Sequence, residues 1–347
     1  MMDRSQIVGR TERWISAAMM LLFLSVAGSA QQNPLDQVQT PMPAQQSTPA
    51  KPAAPVPGAA SATDKRLAQL PRIRAEADLV LVPMTVTDPR NRLVTGLEAQ
   101  NFQIFDNNVG QTIKTFSTED APVTIGIVFD LSGSMGSKFL RARKALSTFL
   151  RTSNPADEFL VVGFNGRPAL IVDYTSDPDD VEARMVMLKP ENRTALIDAV
   201  YLGVNKLKQG KYERKALLVI SDGGDNRSRY TEGELHRVVK ESDVEIYSIG
   251  IFDTYAPTPE EQTGPLLLND ISEMTGGRLF RVDDVSERTD IATRISEELR
   301  NQYVAGYRPS EMKKDGKWRK LKVRLVPPPG LPPLTVHFRQ GYYAPSQ

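Results

Sequence analysis

Across residues 120–300 short apolar runs alternate with longer stretches in which apolar residues recur every three or four positions. The runs at 123–129, 159–164, 170–174, 216–221, 246–251 and 279–282 predict strands. Between them, Phe139, Ala142, Leu146, Phe149 and Leu150 mark the buried stripe of one helix, and Ala195, Ala199, Leu202 and Leu207 that of another. Leu235, Val238 and Val239 repeat the pattern, and Ile291, Ile295 and Leu299 close it. Strands alternating with helices predict an α/β unit with a doubly wound, mostly parallel sheet, and the stripes read as its core rather than as a cofactor box.

The flanks have a different period. Val80, Val82, Met84 and Val86 alternate with other residues, as a half-buried strand requires, and 102–105 and 113–116 read as further short strands. Asn91 and Gly96 mark turns. At the other end 303–307, 318–326 and 334–342 read as strands, with Asp315-Gly316 as a hairpin turn signal. Neither flank is long enough to close a core alone. The expected organisation is therefore a β-segment at 77–120, the α/β domain at 121–301 and a second β-segment at 302–347. The two β-segments are expected to pack as a small β-sandwich with the α/β domain inserted between them. A sequential β-domain followed by unrelated tail strands would give the same local pattern.

Composition adds a compartment. Arg4, Arg10 and Arg13 precede an apolar stretch at 15–26 that is short for a bilayer span, and Gly28-Ser29-Ala30 supplies small residues for cleavage. Residues 1–30 thus read as a secretory signal, with an uncleaved anchor as the alternative, and the protein is expected to be exported, periplasmic or secreted. Residues 31–76 read as a linker, richest in Pro, Gln, Ala and Ser up to Ala62. With 43 Lys and Arg against 42 Asp and Glu, no global charge points to nucleic acid. The chain has no cysteine, which excludes disulfides, thiol catalysis and Cys-based metal sites.

The candidate chemistry lies in Asp130-Leu131-Ser132-Gly133-Ser134, directly after the run at 123–129, with Thr194 and with Asp222 after the run at 216–221. Ligands of open α/β sheets bind beyond the carboxyl ends of the strands, where strand order reverses. If the strands bearing Asp130 and Asp222 are neighbours, two carboxylates and three hydroxyls meet there. Oxygen-only donors suit a hard cation such as Mg²⁺. The alternative for the first motif is a hydrogen-bonded turn capping the helix that starts near Lys138.

This set resembles the metal-ion-dependent adhesion site of von Willebrand factor type A domains, which reads Asp-x-Ser-x-Ser, then Thr, then Asp. The resemblance spans 121–301. Flanking pieces (Val86-Thr87-Asp88, Val94-Thr95-Gly96-Leu97, Asn101-Phe102, Tyr303-Val304-Ala305-Gly306-Tyr307 and Gly341-Tyr342-Tyr343-Ala344-Pro345) resemble the bacterial "VWFA-related" family described from Acidobacteria. The resemblance implies that Asp130, Ser132, Ser134, Thr194 and Asp222 hold Mg²⁺, with Mn²⁺ or Ca²⁺ as alternatives. It implies that the serines and, with ligand bound, the threonine bind directly while the aspartates act largely through waters. The metal so held favours a carboxylate from outside, so the implied partner is a protein presenting Asp or Glu. A shift of the helix at 287–300 on binding is a further implication.

Asn192-Arg193 stands before Thr194, where the family commonly has a small residue, and places a guanidinium near the rim. Candidate rim residues are Arg193, Asp225, and Glu260 and Glu261 in a loop at 254–264. For Arg193 the competing reading is a solvent-facing side chain, and for Asp225 a loop-stabilising Asx turn. An enzyme is not expected. His236 and His337 are the only histidines, they fall in a helix and a tail strand, and no nucleophile–base pair can be assembled. A second binding mode is open. Lys320, Lys322 and Arg324 alternate with Leu321, Val323 and Leu325 and, with Lys313, Lys314 and Lys317, offer a basic face to an anionic polymer or envelope surface. Such lysines also guard exposed strand edges.

Overall fold

The computed structural model describes residues 79–118, 120–252, 259–282, 288–311 and 313–346, with the side chains of 259–261 and 288–290 also left aside. The signal at 1–30 and the linker at 31–76 lie outside the described residues.

The centre is a mixed sheet in which β5 (Thr124–Asp130), β6 (Glu158–Phe164), β8 (Lys215–Ser221), β9 (Val244–Gly250) and β10 (Leu279–Arg281) run parallel, and β7 (Pro168–Thr175) closes one edge antiparallel to β6. Its order is β10-β9-β8-β5-β6-β7, so the chain winds outward from β5 in both directions and reverses between β5 and β8. β5 is buried along its whole length, as a strand covered on both faces must be. On one face Ile125, Ile127 and Phe129 pack with α1 (Phe139–Thr152), α2 (Pro178–Val186) and α6 (Arg288–Arg300). Val128 and Val219 face α3 (Leu196–Leu207), α4 (Glu232–Glu241) and α5 (Pro259–Thr275) on the other.

Two antiparallel four-stranded sheets flank this unit. One has the order β13-β1-β11-β4, formed by β1 (Val80–Thr87), β4 (Ile113–Ser117), β11 (Tyr303–Tyr307) and β13 (Thr335–Phe338). The other has the order β14-β12-β2-β3, formed by β2 (Phe102–Asp106), β3 (Val109–Gln111), β12 (Trp318–Leu325) and β14 (Gly341–Tyr343). Val82, Met84, Phe102, Ile104, Tyr303, Tyr307, Leu321 and Val323 share one core between them. Each sheet mixes strands from before and after the α/β unit, which joins them through β4 and through α6, whose last residue is followed within three positions by β11.

Two sequence expectations need correction, and a third is refined. Asp315-Gly316 does not turn a hairpin, because β11 and β12 belong to different sheets; Gly316 takes a positive φ of 64° in a crossing between them. The basic face of β12 is exposed at Lys320, Lys322 and Arg324; β12 pairs with β14 over Trp318–Lys320 and with β2 over Leu321–Leu325, so Lys322 and Arg324 stand where the register pairs the strand with β2 alone. Finally, the supposed loop at 254–264 is helical from Pro259 onward. A proline followed by two glutamates suits the first turn of a helix as well as it suits a loop. Residues 254–258 and the side chains of Glu260 and Glu261 lie outside the described residues.

Candidate metal centre

Parallel pairing of β5 with β8 puts Asp130 and Asp222 at the carboxyl ends of adjacent strands, at the reversal of strand order. Three loops meet there and are sewn together by backbone bonds. Gly133 N donates to Asn192 O (2.9 Å), Glu191 N to Leu131 O (2.8 Å), and Asn226 N to Thr194 O (3.0 Å). Thr194 N returns a bond to Asn226 Oδ1 at 3.1 Å. Gly223, at φ 81°, lies against Gly264 so closely that a Cβ on either would sit 2.6 Å from the other's backbone, so these glycines press the segment after Asp222 onto α5.

Asp130 is fully buried; one oxygen accepts from Ser132 N at 2.8 Å and the other from Ser221 Oγ at 2.6 Å. Burial pushes its carboxyl up to about 7, and the negative charge of Asp222 adds to the effect against these two hydrogen bonds. Ser132 is buried, Ser134 is exposed, and their hydroxyl oxygens lie 3.0 Å apart. Thr194 is buried, and its N–H is held by the Asn226 side chain. Neither Asp130 nor the serines cap α1, whose first residues make no side-chain cap bond. The turn itself is hydrogen-bonded, through Ser132 N to Asp130, and the other Asp130 oxygen is held by Ser221 from the next strand.

These residues fit a hard cation. Two oxygens bound side by side to an octahedral ion with bonds of roughly 2.1 Å lie about 3 Å apart. The serine hydroxyls stand at that separation, held there by a hydrogen bond to each other that a bound ion would replace. Among the described residues no group of three His, Asp or Glu side chains gathers to hold a metal, so the charge here comes from two carboxylates and the rest of the donors are neutral.

Among the rim candidates, Arg193 is exposed. Asp225 is a correction: its carboxylate accepts from Ile197 N (2.8 Å), Ser228 N (3.1 Å) and Ser228 Oγ (2.5 Å), which ties the loop to the first turn of α3 and commits the group to the fold. His236 pairs with Asp270 at 2.9 Å, and His337 meets Thr87 Oγ1 at 3.2 Å.

Sequence reasoning missed two features. Lys138 reaches back from the start of α1 to place its Nζ 2.9 Å from Asp222 Oδ2. A lysine closing a loop rich in Gly and Ser was the available signal. Beside the Thr194 loop lies a cleft of about 710 Å³ whose lining includes Arg167, Arg227, Arg229 and the stacked rings of Tyr201 and Tyr230, 4.1 Å apart. Buried Asp198 holds Arg229 by an ion pair of 3.1 Å, while Arg167 and Arg227 are exposed.

Residues 125–224 match the family model of the von Willebrand factor type A domain. An uncharacterised protein of Borreliella burgdorferi is 24% identical over 187 residues, which cover 47% of this chain and 55% of that protein. The chain thus spans about half the length of this curated relative. Among solved structures, a von Willebrand factor type A protein from Catenulispora acidiphila is similar with a TM-score of 0.44 at 12% identity, over 78% of this chain and 74% of that one. Proximal thread matrix protein 1 of the mussel byssus, with a zinc-occupied MIDAS motif, is similar with a TM-score of 0.43 at 15% identity, over 56% of this chain and 49% of that one.

Proposed function

With a von Willebrand factor type A domain at its centre, we propose that the protein is an exported, non-enzymatic binding module that captures a carboxylate of a partner protein through a divalent cation. Asp130, Ser132, Ser134, Thr194 and Asp222 hold the ion, Mg²⁺ in the first instance and Mn²⁺ or Ca²⁺ as alternatives. The observation that carries this reading is the pair of serine hydroxyls 3.0 Å apart beside two buried aspartates on neighbouring strand ends. The bound ion supplies an electron-poor position that accepts an outside oxygen. The aspartates provide charge and anchor the loops: Asp130 fixes Ser132 and Ser221, and Asp222 fixes Gly224 and Lys138. Arg193 and the cleft arginines Arg167 and Arg227 add positive charge along one side of the rim, which suits an acidic partner.

Calorimetric titration with Mg²⁺ and Mn²⁺ tests the site. Saturable binding is expected in the wild type and loss of it in Asp130→Ala and in Ser132→Ala/Ser134→Ala, with circular dichroism unchanged. Equal binding by wild type and both variants would refute the assignment. The exposed basic face of β12 supports a second reading, metal-independent capture of an anionic polymer or envelope surface. Binding that survives chelator but fails in high salt would favour it.

A further inference from the structure

The cleft beside the metal site lies between α3, the β6–β7 turn and the segment that follows Asp222. Its volume of about 710 Å³ falls inside the roughly 300–1,000 Å³ of ordinary ligand sites. One wall is built around the buried Asp198. Asp198 Oδ1 accepts from Arg229 N at 2.8 Å and Tyr230 N at 3.0 Å, and its Oδ2 accepts from Arg229 Nε at 3.1 Å. These bonds fix the segment that carries Tyr230, whose ring stacks on Tyr201 of α3 within 15° of parallel. Asp198 and Arg229 are thereby committed to the shape of the cleft. Arg167 and Arg227 are not: both are exposed, and among the described residues no ion pair engages either guanidinium. The hydroxyls of Tyr201 and Tyr230 likewise make no hydrogen bond to a described residue. The backbone ties this cleft to the metal site. Ala195 N, next to Thr194, donates to Asn165 O at 2.8 Å, two residues before Arg167. Asn226, which exchanges two bonds with Thr194, directly precedes Arg227. Two residues of extended chain span about 7 Å, so both arginines are anchored close to Thr194.

We infer that the cleft is a docking subsite for further acidic side chains of the partner, which therefore presents a short acidic segment and not a single carboxylate. The inference rests on the metal-binding reading above for the first of those carboxylates, while the cleft's own hold on an acidic segment needs no metal. A guanidinium takes a carboxylate through two parallel N–H bonds, and the tyrosine hydroxyls donate further ones. The stacked rings give a rigid wall for the aliphatic stems of the segment to pack against. A neutral or basic segment would gain none of these charge-assisted bonds, so the subsite discriminates by charge. When metal and cleft are engaged by one segment, the second contact is intramolecular, and the segment is held more tightly than by either alone.

The test is fluorescence anisotropy of fluorescein-labelled octaglutamate, with chelator present and at low salt, against the wild type, Arg167→Ala/Arg227→Ala and Lys320→Ala/Lys322→Ala. The lysine pair removes the same charge from the exposed face of β12. The wild type is expected to bind the peptide saturably, the arginine pair about fivefold or more weakly, and the lysine pair as the wild type does. Octaglutamine should not bind. Calorimetry with Mn²⁺ on the same proteins reports the metal site separately, and both pairs are expected to keep Mn²⁺ binding. Absence of octaglutamate binding, or equal weakening in both pairs, would overturn the cleft assignment, and intact Mn²⁺ binding would then leave the metal reading standing. Loss of peptide binding in the arginine pair alone, in proteins that bind no Mn²⁺, would support the cleft and refute the metal reading. Displacement of the label by oligogalacturonate at lower concentration than by unlabelled octaglutamate would assign the cleft to an anionic glycan and overturn the acidic-peptide partner.

Discussion

At the scale of single residues, the site reduces to how two buried carboxylates are satisfied. Asp130 carries its raised affinity for a proton because it is buried near Asp222, and a bound cation would reverse that preference. The sign follows. Burial and the charge of Asp222 favour the protonated form of Asp130, and a metal must displace that proton, so Mn²⁺ affinity is expected to rise with pH. The rise should approach about tenfold per pH unit where one proton is released per ion. Titrations at pH 5.5, 6.5 and 8 check this; a flat profile would show that Asp130 does not take part. The five oxygen-bearing residues of the proposed site stood out in the sequence because the resemblance names fixed residue types, three of them within a single pentapeptide. Lys138 and Ser221 were not, because their meaning lies in partners 84 and 91 positions away. Asp225 was legible only as a choice between two roles, and its bonds to Ile197 and Ser228 settle it as a cap.

Among the elements, α6 is the one through which the α/β unit passes into the sandwich. Glu298 on α6 is 2% exposed and accepts a hydrogen bond from Arg278 ahead of β10; Arg278 also donates to Asn91 Oδ1 at 3.3 Å. Burial pushes the Glu298 carboxyl up to about 7 despite the Arg278 guanidinium. The folded state therefore keeps a proton that the unfolded chain sheds above its ordinary value of 4.5, and stability is expected to fall as pH rises from there toward 7. Glu298→Gln should flatten that decline by on the order of 2 kcal/mol. Urea midpoints at pH 5 and pH 7.5 measure it, and an unchanged difference between them would dismiss Glu298 as its source. Periodicity located four of the helices, since stripes such as Phe139, Ala142, Leu146 and Phe149 are set by burial against a sheet, but it named neither Pro178–Val186 nor the helix that runs on to Thr275. It failed at 259–264, where proline and acidic residues serve loop and helix start alike, and at Asp315-Gly316, where a turn signal says nothing of which sheet receives the next strand.

For the whole molecule, the doubly wound sheet was legible because each strand–helix repeat is local in sequence. The pairing of the flanking strands was open in the sequence, since β1 meets β11 and β13 across the length of the α/β unit and alternation alone does not name a partner. The consequence is a rim of loops, held by backbone bonds between segments far apart in the chain, on which the oxygen donors stand preset. That preset geometry is the central claim, and crystals soaked in Mn²⁺ and measured for anomalous scattering test it most directly. The expected result is a single strong peak roughly 2.2 Å from the hydroxyls of both Ser132 and Ser134, with Asp130 and Asp222 beside it. Mn²⁺ bound elsewhere, with no peak between those serines, would contradict the account.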